Sequence, residues 1–111
     1  IKEELHPIIA EFTKLSYIRE FIKMEKLIKL ILAEYESSSS FIIAGWNAKI
    51  ILNLVPILND EEIDRVVDAV FSNDQITYSW SARTPLKKFL SLCRDRISNE
   101  KAKKLEEILK E

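Results

Sequence analysis

The stretch YIREFIKMEKLIKLILAEY, residues 17–35, settles the class of fold. Its apolar positions Tyr17, Phe21, Met24, Ile28, Ile31 and Tyr35 are spaced by alternating steps of four and three, the recurrence of one face of an α-helix. Ile18, Ile22, Leu27 and Leu32 widen that stripe. The spacing predicts a long helix. Ser37, Ser38, Ser39 and Ser40 should stop it, because serine hydroxyls compete with the backbone for hydrogen bonds and make a poor helix interior.

The same period extends in both directions. Pro7 can open a short first helix without losing a bond, and Ile8, Ile9, Phe12 and Leu15 follow at helical spacing. Beyond the serines, the nearly continuous apolar run from Phe41 to Trp46 leads into Ile50, Ile51, Leu54 and Val55, a third helix that Pro56 must end or kink. Asn59 and Glu62 have the spacing of a capping box, so a fourth helix starts at Asp60, buries Ile63, Val66, Val67 and Val70, and stops before Ser72. Thr84 and Pro85, or Ser81 one turn earlier, open a fifth with Leu86, Phe89, Leu90, Cys93 and Ile97 inward. Ser98 caps a sixth that buries Ala102, Leu105, Ile108 and Leu109. The expected fold is all-α, with three consecutive hairpins and a core including Phe21, Ile28, Trp46, Leu54, Val66, Phe89, Leu90 and Leu105.

A chain of 111 residues with 47% hydrophobic and 32% charged side chains has the size and composition of one globular domain. One glycine and three prolines leave few breakers, consistent with helix throughout. The first residue is Ile1 and not Met, so residues 1–111 are read as a single all-helical domain that is a fragment or terminal domain of a larger protein. Cys93 has no second cysteine to pair with, which fits a reducing, cytoplasmic location. No apolar run reaches a membrane span, and Lys2, Glu3 and Glu4 exclude a signal-peptide pattern at the start.

An internal similarity carries the functional argument. Trp46, Asn47, Ala48 and Lys49 return thirty-four residues later as Trp80, Ser81, Ala82 and Arg83, with Leu52 matching Leu86 and Val55 matching Phe89. At an offset of thirty-nine, Ile63, Val66 and Val70 match Ala102, Leu105 and Leu109. A period in this range is a property of stacked helical hairpins. Residues 41–111 thus resemble a HEAT-like or armadillo-like helical repeat; the Leu-Gly pair of a tetratricopeptide repeat is absent after both tryptophans. The resemblance implies a right-handed α-α superhelix of about three hairpins that binds another macromolecule on its helix faces, the alternative being a compact six-helix bundle. It also places both tryptophans between neighbouring hairpins.

Chemistry finds little support. His6 is the only histidine and is read as a surface residue; with no partner set for zinc or a nucleophile, and no glycine-rich loop, the chain is read as non-catalytic and without metal or organic cofactor. Cys93 falls on an apolar stripe and is read as inert. Asp60, Glu61, Glu62 and Asp64 lie where the positive end of a helix dipole favours carboxylates in any case.

Charge is distributed unevenly. Residues 37–74 carry 2 basic against 6 acidic side chains and residues 75–111 carry 9 against 5, within an overall charge of −1. The basic group Arg83, Lys87, Lys88 and Arg94 is the expected partner-binding surface. A protein partner, or the remainder of the parent chain, ranks first. Nucleic acid, bound by those residues with Tyr78 and Trp80, ranks second because Asp95, Glu100, Glu106 and Glu107 interrupt the basic stretch. Self-association through helix two is also expected, since Ile18, Ile22, Leu30 and Leu32 give it more apolar surface than one neighbour covers. No membrane partner is expected.

Overall fold

The computed structural model describes residues 1–15 and 24–110. Among them run seven α-helices and four 3-10 turns, with no strand. The helices are α1 (His6–Thr13), α2 (Glu25–Glu36), α3 (Phe41–Leu54), α4 (Asp60–Ser72), α5 (Asp74–Thr77), α6 (Arg83–Cys93) and α7 (Asn99–Leu109); the 3-10 turns are Glu3–Leu5, Val55–Ile57, Trp80–Ala82 and Arg94–Arg96. The expected start of the second helix, from Tyr17, lies outside the described residues up to position 23, as does the expected core residue Phe21. Six helices were expected. The additional one is α5, a single turn closed when the Asn73 side chain accepts the Gln75 N–H at 2.9 Å.

The serine connector works at both of its ends. Ser37 and Ser38 hydroxyls donate to the Ala33 and Tyr35 carbonyls at 2.9 and 2.8 Å, which occupies the last carbonyls of α2. Ser40 accepts from the N–H groups of Ile42 and Ile43 and so caps α3. Asn59 and Glu62 form the reciprocal capping box of α4 at 2.8 and 2.9 Å.

Helix α3 is the centre of the molecule: α1, α2, α6 and the Trp80–Ala82 turn all pack on it. A helix surrounded in this way must be apolar on most faces, and Ala44, Ala48, Ile50, Ile51 and Leu54 are buried with Gly45 and Asn47. Gly45 serves the contact with the turn. A Cβ built there would stand 2.0 Å from Ser81 Oγ and 2.8 Å from Ser81 Cβ, so only glycine admits so close an approach. Helix α4 takes its main contacts from α2, α5 and α7, and α6 packs on α7. The radius of gyration is 13.0 Å, close to the ~13 Å of a compact globule of this length.

Ile28, Leu54, Val66, Phe89, Leu90 and Leu105 are buried as expected. Trp46 is only half-buried, and Trp80 is 80% exposed. The tryptophans therefore do not both pack between hairpins, because Trp46 sits within α3 whereas Trp80 opens a 3-10 turn that rides over it. Other matched positions do share burial: Ala48 with Ala82, Val55 with Phe89, and the apolar sets of α4 and α7. Of the residues expected to give helix two an apolar excess, Leu32 belongs to the core and Leu30 is exposed, while Ile18 and Ile22 lie outside the described residues.

The acidic and basic segments face one another. Arg96 Nε donates to Asp60 at 2.7 Å, and Lys101 reaches Asp64 at 3.0 Å and Asp68 at 2.9 Å. Surfaces of opposite sign that sequence suggests for outside partners are in part consumed in holding α4 to the last hairpin.

Candidate functional site

The four basic residues singled out from sequence do not form one surface. Arg83, Lys87 and Arg94 follow one another at steps of four and seven, which sets them on one side of α6, toward α7. Arg83 is half-buried and donates through Nη1 to the Ile108 carbonyl at 3.0 Å. Arg94 is held by Glu106. Lys87 borders a recess of about 440 Å³ whose lining includes Glu106, Glu107 and Lys110, a mixed-sign environment. Lys88 alone turns the other way. The step of one residue rotates it about 100° around the helix, and it faces a groove that composition does not reveal.

That groove encloses about 670 Å³. Its floor is the face of α3 that α1 and α6 leave uncovered: Trp46, Lys49, Leu52 and Asn53. Helix α1 contributes Ala10, Glu11 and Lys14 to one wall. The other is the turn and first part of α6, with Trp80, Ser81, Thr84, Pro85 and Lys88. Asn53 holds the α1 wall in place by donating to the Ala10 carbonyl at 3.0 Å and to Thr13 Oγ1 at 3.2 Å. Gly45 holds the opposite wall by letting Ser81 approach α3.

The groove is aromatic and cationic. The Lys49 ammonium lies 4.6 Å from the centroid of the Trp46 ring, an orientation in which the ring face attracts the charge. Lys14 pairs with Glu11 at 3.1 Å, the one acidic residue in the lining. Lys49 and Lys88 have no ion-pair partner among the described residues. A second recess of about 320 Å³, lined by Leu52, Lys88, Ser91 and Leu92, shares Leu52 and Lys88 with the groove and continues it. Trp46, Lys49 and Lys14 escaped the sequence reading of the site. Lys49 was within reach of it, as the only charged residue of α3; Lys14 depends on how α1 docks.

The remaining candidates are structural. His6 is not on the surface but buried, with Nδ1 bonded to the Glu3 carbonyl at 3.0 Å and Nε2 to Glu34. Glu34 also accepts from Asn47 Nδ2 at 2.8 Å and from the Ile1 nitrogen at 2.9 Å. Burial acts to raise the Glu34 carboxyl, but the hydrogen bonds from Asn47, His6 and Ile1 prevail and hold it below its ordinary 4.5. Cys93 is buried, which pushes its thiol up and away from the reactive thiolate. No group of three histidine, cysteine, aspartate or glutamate residues among the described ones has the disposition of a metal site, and no described helix is long and apolar enough to cross a membrane.

Comparison with protein-family models, with curated proteins and with solved structures finds no match to this chain.

Proposed function

We propose that this domain is a non-catalytic protein-interaction module, a scaffold or regulatory segment working in the cytoplasm, and that its binding site is the groove over α3. The observation that carries the reading is Trp80, 80% exposed beside the half-buried Trp46 in a groove that also presents Lys14, Lys49 and Lys88. A large aromatic ring left in water costs solvation and is a characteristic anchor of protein interfaces. The hairpin order of residues 41–109 and the shared burial of α4 and α7 favour a HEAT-like stack as the scaffold that holds these walls.

Nucleic acid is the second reading, because tryptophan faces and lysines also receive stacked bases and phosphates. It is less favoured: Leu52, Pro85 and the exposed Leu92 line the same channel and offer nothing to a phosphate backbone. Extract of the source organism passed over the immobilised wild-type domain and over a Trp80→Ala/Lys49→Glu/Lys88→Glu variant separates these readings. The module reading expects a discrete protein retained by the first and lost by the second, with or without nuclease. Retention abolished by nuclease would transfer the site to nucleic acid, and equal retention by both would remove the groove.

A further inference from the structure

Resting on the reading of the domain as a protein-interaction module, we propose that the groove receives an acidic amphipathic helix of about three turns from the partner protein. The length follows from α3. Ile42, Trp46, Lys49 and Asn53 recur at steps of four, three and four along one face of α3, so the groove floor, taken with the exposed Ile42 one turn before Trp46, covers twelve residues, a rise of roughly 16 Å at 1.5 Å per residue. An incoming helix of that length spans the floor once.

Apolar contacts concentrate toward the two ends and charge in the middle. At one end are Trp80 and Trp46, with Ile42, 61% exposed, one turn before Trp46 on the same side of α3. At the other, Leu92, 62% exposed, stands with Leu52 in the adjoining recess. Between them Lys14, Lys49 and Lys88 enter from α1, α3 and α6 against the single carboxylate of Glu11, which Lys14 already engages. A complementary segment carries two apolar anchors about two turns apart and aspartate or glutamate between them on the same face.

The helical form has its own argument. No strand occurs among the described residues, so there is no sheet edge to pair with an extended segment. A chain pressed into the groove must satisfy its backbone N–H and C=O groups internally, and a helix does so. Floor and walls are themselves helical, with ridges spaced to receive the side-chain rows of another helix.

Phage-displayed random 16-residue peptides, panned on the full chain with the Trp80→Ala/Lys88→Glu variant used for counter-selection, test the proposal. Both substitutions are at exposed positions, and circular dichroism verifies that the variant is folded. The expected winners carry apolar residues seven apart with Asp or Glu three or four residues into that interval. A synthetic peptide of the winning sequence should lose at least about tenfold in affinity for Trp80→Ala and for Lys49→Glu/Lys88→Glu. A proline at the peptide's centre should cost as much, because it breaks the helix. Winners that are proline-rich, basic or neutral, binding that ignores the groove substitutions, or no enrichment at all would overturn it. If peptides fail while groove-dependent capture from extract succeeds, the interaction reading stands and the helical acidic partner falls; if both fail, both fall.

Discussion

At Gly45 two effects oppose one another. Alanine in a helix interior is favoured over glycine by about 1 kcal/mol, yet its methyl group would collide with Ser81 Oγ at 2.0 Å and Cβ at 2.8 Å. The oxygen can rotate away; the Cβ cannot, and the backbone carbon of Ser81 is only 3.3 Å off. The Trp80–Ala82 turn must therefore move, at an overpacking cost of about 1–3 kcal/mol that outweighs the gain. Gly45→Ala should lower the urea midpoint, and adding Ser81→Gly, which removes the colliding side chain, should restore part of the loss. Glu34 is the polar counterpart. Glu34→Gln leaves His6 and Asn47 competing for a neutral acceptor and should cost about 1–3 kcal/mol at neutral pH. Because the folded-state carboxyl is held below its ordinary 4.5, its contribution is complete above that pH and is lost as the pH falls through the depressed value. Urea titrations at a series of pH values should show this part of the acid slope missing from Glu34→Gln.

Helix α6 shows how one element divides a set of like charges. Sequence places Arg83, Lys87, Lys88 and Arg94 together as one basic surface. Packing separates them: Arg83 holds the Ile108 carbonyl and Arg94 holds Glu106, whereas Lys87 and Lys88 make no side-chain hydrogen bond or ion pair among the described residues. The fourfold reversal should therefore lower the melting temperature, chiefly through Arg83→Glu, which sets a carboxylate against a backbone carbonyl at a cost of about 1–3 kcal/mol. Lys87→Glu/Lys88→Glu should melt like wild type. Thermal scans of the two variants provide the check, and equal melting temperatures would show that Arg83 does not secure α7.

Across the whole molecule, charge sorted by segment becomes charge joined in space. Arg96 bridges Asp60 and the Leu58 carbonyl, the latter at 2.8 Å, and Lys101 bridges Asp64 and Asp68. Exposed pairs of this kind contribute under about 1 kcal/mol each and are screened by salt. Lys101→Met should thus have a small effect that shrinks at high ionic strength. Arg96→Met should cost more and retain part of its effect in salt, since it also removes a donor from a backbone carbonyl. Urea unfolding at low and high sodium chloride distinguishes the two.

The sequence by itself determined what depends on neighbours along the chain: the helical period, the serine stop, the Asn59–Glu62 box, the Ser98 cap and six of the eight expected core residues. These follow from local hydrogen bonding and from the apolar face each helix must hide, both of which can be read at steps of three and four. Only the tertiary structure decided what depends on how helices dock. It buried His6 against Glu34, left Trp80 in water, tied Arg83 to the Ile108 carbonyl and Arg94 to Glu106, and opened a groove in which Lys14, Lys49 and Lys88, far apart in sequence, converge. A helical period says which face of a helix seeks cover, but not which neighbour supplies it, and the proposed groove lies on a face of α3 that its neighbours leave open.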